Sequence, residues 1–295
     1  MITVLLGGGL GNQLFQYALG RTLSLKHQAK LVLDLTSIGS KLQNQNLATY
    51  RRYELEVFDL PVETKDLTFK GKYLYPLSKA EFLLKKFIHT KRFHYIKETQ
   101  NNFDPRILQA PDDSYIDGYF QSEKYFLPQR EVLLNELQFK KPLSGKNAEW
   151  QKEIQSGNSV SLHFRRGDYV RLPWNVQKHG TTDMEYYHRA MHHIAASVSD
   201  PRFYGFTDEP AWVRENLQTG FPVTLVDTNQ TPDTAYIDMQ LMSLCRHNII
   251  CNSTFSWWGA WLNRNPEKQV IAPQQWFVDP TINAQDILPG SWIKL

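Results

Sequence analysis

The sequence predicts an α/β protein of two doubly wound halves with a cleft between them, on three observations. Its 295 residues leave room for two units at roughly 150 residues each. Short apolar runs alternate with stretches of helical periodicity, the order that builds parallel sheets. The strands of the second half end one after another in polar or charged side chains, and open parallel sheets hold their ligands at that carboxyl edge.

Residues 2–6 are an apolar run, followed by Gly7, Gly8, Gly9, Leu10 and Gly11. Leu14, Phe15, Ala18, Leu19, Thr22 and Leu23 then keep near-helical spacing to about Lys26, and residues 30–35 supply another strand. This is a strand, glycine turn, helix, strand unit. From about Gly39 to Asp117 the chain is broken by Pro61, Gly71, Pro76, Pro105 and Pro111 into short segments. Pro, Gly, Ser and Asn collect in residues 142–157, which places the domain boundary there and gives units of 1–150 and 151–295. Beyond it, Val160, Leu162 and Phe164 mark a strand ending in Arg165, Arg166, Gly167 and Asp168. Thr182 and Glu185 have capping-box spacing ahead of a helix marked by Met184, Tyr187, Met191, Ile194, Ala195 and Val198. Strands at 202–206 and 222–226 end in Thr207-Asp208-Glu209 and Asp227-Thr228-Asn229. A helix over 234–245 leads to a strand at 248–251, which ends in Asn252-Ser253-Thr254. A helix rich in Trp257, Trp258 and Trp261 precedes a last strand at 269–272. Turns are polar anyway, which explains any one of these tips. Two adjacent arginines at a buried strand tip are harder to explain so.

Composition narrows the class. Thirty-three basic against 30 acidic side chains leave a net charge of +3, too small a surplus for a nucleic-acid protein. Cys245 and Cys251 are too few for a disulfide framework and lack zinc-site spacing, so they read as buried thiols. The first twenty residues carry no charge, but they lack a basic n-region and contain five glycines, which argues against a signal peptide. The uncharged run from about Asn248 to Asn263 is interrupted by Asn252, Ser253, Thr254 and Ser256 and is too polar to span a membrane. A cytoplasmic protein is the expectation. Between Lys79 and Lys97 six Lys or Arg stand against Glu81 alone, interleaved with apolar residues. That segment reads as a charged outer face, or as a basic amphipathic helix making at most a peripheral contact with an anionic membrane or a lipid-linked substrate.

The most informative segment is His163-Phe164-Arg165-Arg166-Gly167-Asp168. A guanidinium is always charged and presents a planar fork, so it can hold phosphate oxygens and neutralise charge growing on a departing diphosphate. Preorganised charge of this kind lowers a barrier by roughly 3–4 kcal/mol, by analogy with single oxyanion donors. Asp168 orients an arginine or caps the turn, and His163 reaches a ribose or phosphate unless it is a core histidine. A structural Arg–Asp ion pair is the plainer alternative for the whole segment. Ser253, Thr254 and Ser256 at a helix start offer a second group of anion donors, though one hydroxyl alone would suffice as an N-cap. The glycine turn before Asn12 suggests either close approach to a ligand or a structural turn. Asp34 lies where a dinucleotide-binding domain keeps its ribose acid, but Asn12 or Leu14 stands in the third glycine position of that fingerprint, which weakens an oxidoreductase reading. No D-x-D motif occurs, and His188, His192 and His193 lack a third metal ligand, so no metal is expected.

Taken together, Gly9-Leu10-Gly11-Asn12-Gln13-Leu14-Phe15-Gln16-Tyr17-Ala18, His163-Phe164-Arg165-Arg166-Gly167-Asp168-Tyr169, Phe206-Thr207-Asp208-Glu209 and Asn252-Ser253-Thr254-Phe255-Ser256-Trp257-Trp258-Gly259-Ala260 resemble the α-1,2-fucosyltransferases of glycosyltransferase family 11. The likeness includes Gly118-Tyr119-Phe120-Gln121-Ser122-Glu123 and runs nearly end to end.

The resemblance implies a GT-B fold of two facing Rossmann-like domains. It implies GDP-fucose on the C-terminal one, an acceptor-side N-terminal one, no metal, no cofactor beyond the donor, and inversion at the fucose anomeric carbon. The acceptor would be a galactose-terminated oligosaccharide, free or lipid-linked, attacked through its 2-hydroxyl. Arg165 would bind the β-phosphate with help from Ser253, Thr254 and Ser256, and Phe255 belongs to the same donor-binding stretch. Arg166 and Asp168 would hold the motif, while His163 and Asp208 would contact ribose or guanine. Gly9, Gly11, Asn12 and Gln13 would face the donor from the other domain. Asp117, Glu123, Glu54 and Asp168 stand as alternatives for a base. The missing membrane anchor suggests a bacterial source and surface polysaccharide synthesis. The rival readings are a nucleotide-sugar or glycan-binding protein without turnover and a dinucleotide-dependent oxidoreductase.

Overall fold

The computed structural model describes residues 1–38, 51–67, 94–167, 170, 176–177 and 180–295. The chain divides into two compact units, Met1–Glu136 and Leu137–Leu295.

In the first unit, β1 (Ile2–Leu5), β2 (Leu31–Asp34), β3 (Glu63–Lys65), β4 (His94–Lys97) and β5 (Ser114–Asp117) form one parallel sheet in the order β3-β2-β1-β5-β4. β1 and β2 are wholly buried, as continuous apolar runs in a covered parallel sheet should be. Helix α1 (Leu10–His27) covers the sheet and buries Leu14, Phe15, Ala18 and Leu19. Its outer turn is tied to α2 (Arg130–Glu136): Tyr17 and Arg21 both donate to the Glu136 carboxylate. The strand expected at 30–35 and the helix after the glycine turn are thus present. Residues 94–97, expected within a basic helix, are instead an exposed edge strand, because their backbone pairs with β5; the rest of that segment, up to residue 93, lies outside the described residues.

The second unit begins with α3 (Gly145–Gln155). Its strands β6 (Asn158–Phe164), β7 (Pro201–Thr207), β8 (Val223–Val226), β9 (His247–Ile249), β10 (Val270–Ala272) and β11 (Ile293–Lys294) make a parallel sheet ordered β11-β10-β9-β6-β7-β8. Helices α4 (Met184–Ala195), α5 (Pro210–Asn216), α6 (Ala235–Leu244) and α7 (Thr254–Leu262) provide the crossovers. The division falls ahead of the 142–157 stretch expected to hold the boundary, because most of that stretch is α3, which packs on α6 and β6. A second difference is local: α4 is capped by Asp183, whose carboxylate accepts the Tyr186 N–H at 2.7 Å, so Thr182 is no cap and donates to Asn252 instead. The third is β11, two residues long and without a periodicity to read. Trp257, Trp258 and Trp261 are core, at most 1% exposed, and both cysteines are free and buried. Both units are Rossmann-like parallel α/β structures, as the sequence predicted.

Candidate functional site

The second sheet is wound from its middle. The chain runs β6, β7, β8 toward one edge, then returns to the other side of β6 for β9, β10 and β11. The order therefore reverses between β6 and β9, and the carboxyl ends of those strands flank the crevice where doubly wound sheets take ligands. Phe164 is in register with Thr207 and Leu162 with Ile249, so the tips after β6, β7 and β9 are neighbours.

These tips carry the predicted residues. Arg165 Nη1 lies 2.8 Å from Asp208 Oδ2, and the other Asp208 oxygen accepts the Arg166 backbone N–H at 3.1 Å. Gly167 permits this grip: a Cβ there would stand 2.5 Å from Asp208 Oδ2. The Arg166 guanidinium is fixed separately, 3.4 Å from Glu209 and stacked 3.5 Å over the Trp212 ring. With both partners more than a quarter exposed, the Arg165–Asp208 pair contributes only about 1 kcal/mol or less to stability. Its main effect is to aim a guanidinium along the sheet edge. Asp168 lies outside the described residues.

Under the arginines sits a neutral layer. His163 is buried; its Nδ1 is 3.2 Å from Cys251 Sγ across the β6/β9 reversal, and its ring packs 5.6 Å from Phe255. Burial pushes the His163 pKa down to about 3 and the Cys251 thiol up to about 12. Both groups are uncharged at neutral pH, so His163 acts there as a hydrogen-bonding group and not as an acid. The His163–Cys251 contact joins the tip of β6 to that of β9. Ser253 caps α7 by accepting the Phe255 N–H, and Ser256, fully buried, donates to the Ser253 carbonyl. Of the three hydroxyls, Thr254 alone is partly exposed, beside the partly exposed Phe255.

In the first unit the order reverses between β1 and β5. Gly9 N-caps α1 without a side-chain bond, Gly11 is buried inside the helix, and Asn12 accepts from Gln121 at 2.8 Å. Gln13 is completely buried and serves the fold, donating to Gly8 and Arg52 carbonyls and accepting from the Glu54 N–H. Gln16 likewise accepts the Gly7 N–H and donates to the Gly118 carbonyl, joining the two tips. Asp34 has no exposed surface and takes bonds from Thr36, Leu67 and Tyr115, so it is not presented to a ribose. Asp117 is half-buried and bonded by the Tyr95 hydroxyl; Glu54 and Glu123 are also half-buried. Sequence reasoning missed Glu98, Trp212 and the aiming role of Gly167; only the last had a signal, a glycine beside two arginines.

Fold and tip together define a Rossmann-type protein with a carboxylate-held guanidinium at its reversal point. The model of glycosyl transferase family 11 matches residues 1–295, and the chain belongs to that family. It is 34% identical over 310 residues to the O-antigen biosynthesis glycosyltransferase WbnK of Escherichia coli, covering 98% of this chain and 99% of that one. It is 29% identical to an Escherichia coli alpha-1,2-colitosyltransferase over 100% of this chain and 99% of the other. Mouse (Mus musculus) galactoside alpha-(1,2)-fucosyltransferase 2 matches at 32% identity over 37% of this chain and 31% of its own length. Among solved structures, a mutant of Arabidopsis thaliana FUT1 in complex with GDP superposes with a TM-score of 0.50 at 12% identity, over 91% of this chain and 69% of that one. Among the described residues no helix is long and apolar enough to cross a membrane, and no three His, Cys, Asp or Glu side chains gather as a metal site.

Proposed function

We propose that this glycosyltransferase moves L-fucose from GDP-fucose to the 2-hydroxyl of a terminal galactoside, with inversion and without a metal. The observation that carries the reading is the Arg165 guanidinium at the β6/β9 reversal, aimed by Asp208. The acceptor oxygen attacks the anomeric carbon from the face opposite GDP, the bond to the β-phosphate oxygen breaks, its electron pair leaves with the diphosphate, and the proton of the attacking hydroxyl is lost to solvent. Arg165 neutralises that charge in place of a divalent cation. His163, neutral at working pH, contributes a hydrogen bond to the nucleotide and no proton. The α-1,2 linkage follows the names of the relatives, as does a setting in bacterial surface polysaccharide synthesis, with the enzyme in the cytoplasm where nucleotide sugars are made.

A second donor is favoured by the colitosyltransferase relative. Colitose is fucose without its 3-hydroxyl, so the two donors differ by one hydrogen-bonding group. Incubation of GDP-fucose or GDP-colitose with a panel of β-galactosides in excess chelator, with linkage read by NMR, tests all of this. An α-1,2-fucosylated product formed in chelator supports the reading. Faster transfer of colitose, a different linkage, or activity only with metal overturns the corresponding part.

A further inference from the structure

The turn after β5 is held in a strained form. A Cβ on Gly118 would lie 2.3 Å from the Glu98 Cβ. Phe120 has a φ of 52°, in the left-handed region that large side chains rarely enter, at a cost of about 1–3 kcal/mol. The surroundings over-determine this shape. The Glu98 carboxylate accepts the N–H groups of Tyr119 at 2.7 Å and Phe120 at 2.9 Å, Gln16 donates to the Gly118 carbonyl at 2.9 Å, and the buried Phe120 ring meets Tyr125 edge-on at 5.7 Å.

All this effort leaves Tyr119 at the tip with 44% of its surface exposed. Burial of the Phe120 ring offsets the strain of its own backbone, but the exposed Tyr119 ring adds little to stability. Beside it, Asp117 accepts the hydroxyl of Tyr95, which is itself 39% exposed. Arg51, Glu98 and Asp117 all act electrostatically on the Tyr119 hydroxyl. The tip therefore combines a flat apolar ring with carboxylate acceptors at the carboxyl edge of a parallel sheet. A pyranose has the complementary surface, a C–H face and a rim of hydroxyl donors.

We propose that Tyr119 and Asp117 form the subsite for the terminal sugar of the acceptor, the ring under its C–H face and the carboxylate taking its hydroxyl protons in hydrogen bonds. The proposal rests on the glycosyl-transfer reading above. Glu98 is a positioning residue that holds the turn.

Steady-state transfer from GDP-fucose to lactose tests it. In Tyr119→Ala the KM for lactose rises about tenfold, while kcat and the KM for GDP-fucose change less than about threefold; Tyr119→Trp restores the lactose KM. A lactose KM in Tyr119→Ala within about twofold of wild type overturns the subsite. Saturation-transfer NMR with lactose and GDP needs no turnover and so separates this proposal from the activity. A lactose signal lost in Tyr119→Ala and kept in Tyr119→Trp supports the subsite even if wild type were to transfer no fucose. Equal signals in wild type and Tyr119→Ala overturn it even if transfer is observed.

Discussion

The two sheets reverse direction in the same way but tie their tips with different chemistry. Across the β1/β5 reversal the ties are amides: Gln16 spans Gly7 and Gly118, Gln121 bonds Asn12, and Gln13 holds the loop at Arg52, while the Glu98 carboxylate braces the turn after β5 through backbone N–H groups. Around β6 the ties are guanidinium to carboxylate, Arg165 to Asp208 and Arg166 to Glu209. A buried amide with all its bonds made is a rigid structural element, costly to break. A partly exposed ion pair is worth little to stability, but it keeps a cation aimed where an anion can reach it. The difference teaches that the first tip is built to hold its shape, and the second to keep a cation presented at the sheet edge.

The largest effect expected from breaking this contrast is at Arg165. Arg165→Ala lowers kcat/KM by at least about a hundredfold with an unchanged melting temperature, and Arg165→Lys does not restore it, because the fork is lost. Steady-state kinetics with thermal melts checks both halves; turnover in the alanine variant comparable to wild type removes the role. Gly167→Ala comes next, since the new methyl displaces Asp208 from Arg165. It lowers kcat/KM about tenfold, and its effect is not additive with Asp208→Asn, so the double variant is no worse than Asp208→Asn alone. Additive losses contradict the shared mechanism.

The opposite case is Gln16→Leu, which leaves the Gly7 N–H and the Gly118 carbonyl without their partner. It destabilises by roughly 2–4 kcal/mol in urea unfolding, against about 1 kcal/mol or less for Asp208→Asn. Equal losses erase the comparison. The smallest effect is on pH dependence, where two buried groups of the second unit, His163 and Asp238, are shifted in opposite senses. His163, held near 3 by burial, binds a proton below about 6.5 only when unfolded, so its contribution is whole above that pH and is lost as pH falls. Asp238, pushed up to about 7 by burial against the bond from Asn229, contributes stability below its unfolded value near 4 and loses it as pH rises toward 7. The slopes oppose between about pH 4 and 6.5. Asp238→Asn removes the slope that opposes His163, so melting temperature falls more steeply on acidification than in wild type; parallel curves refute this.

The parts of this picture legible in the sequence are those set by local pattern. The strand tips at Arg165, Asp208 and Asn252, the tryptophan helix and the first strand–helix–strand unit all follow from periodicity and turn chemistry. Long-range pairing was not legible. Ser114–Asp117 lies beside β1 with more than a hundred residues between them, and nothing in either segment names the other. The same limit hid Asp208 as the partner of Arg165, 43 residues away along the chain. Cys251 is similar, an apolar thiol by sequence and a link between two strand tips in three dimensions. The cap of α4 is Asp183 and not Thr182, because an aspartate one residue on is the stronger N-cap and its own N3 N–H, that of Tyr186, is in reach.

A crystal structure with GDP bears most directly on the central claim. The account predicts a β-phosphate oxygen within about 3 Å of the Arg165 guanidinium, at the carboxyl ends of β6 and β9. A diphosphate bound away from that crevice, with Arg165 still closed on Asp208 alone, would contradict it.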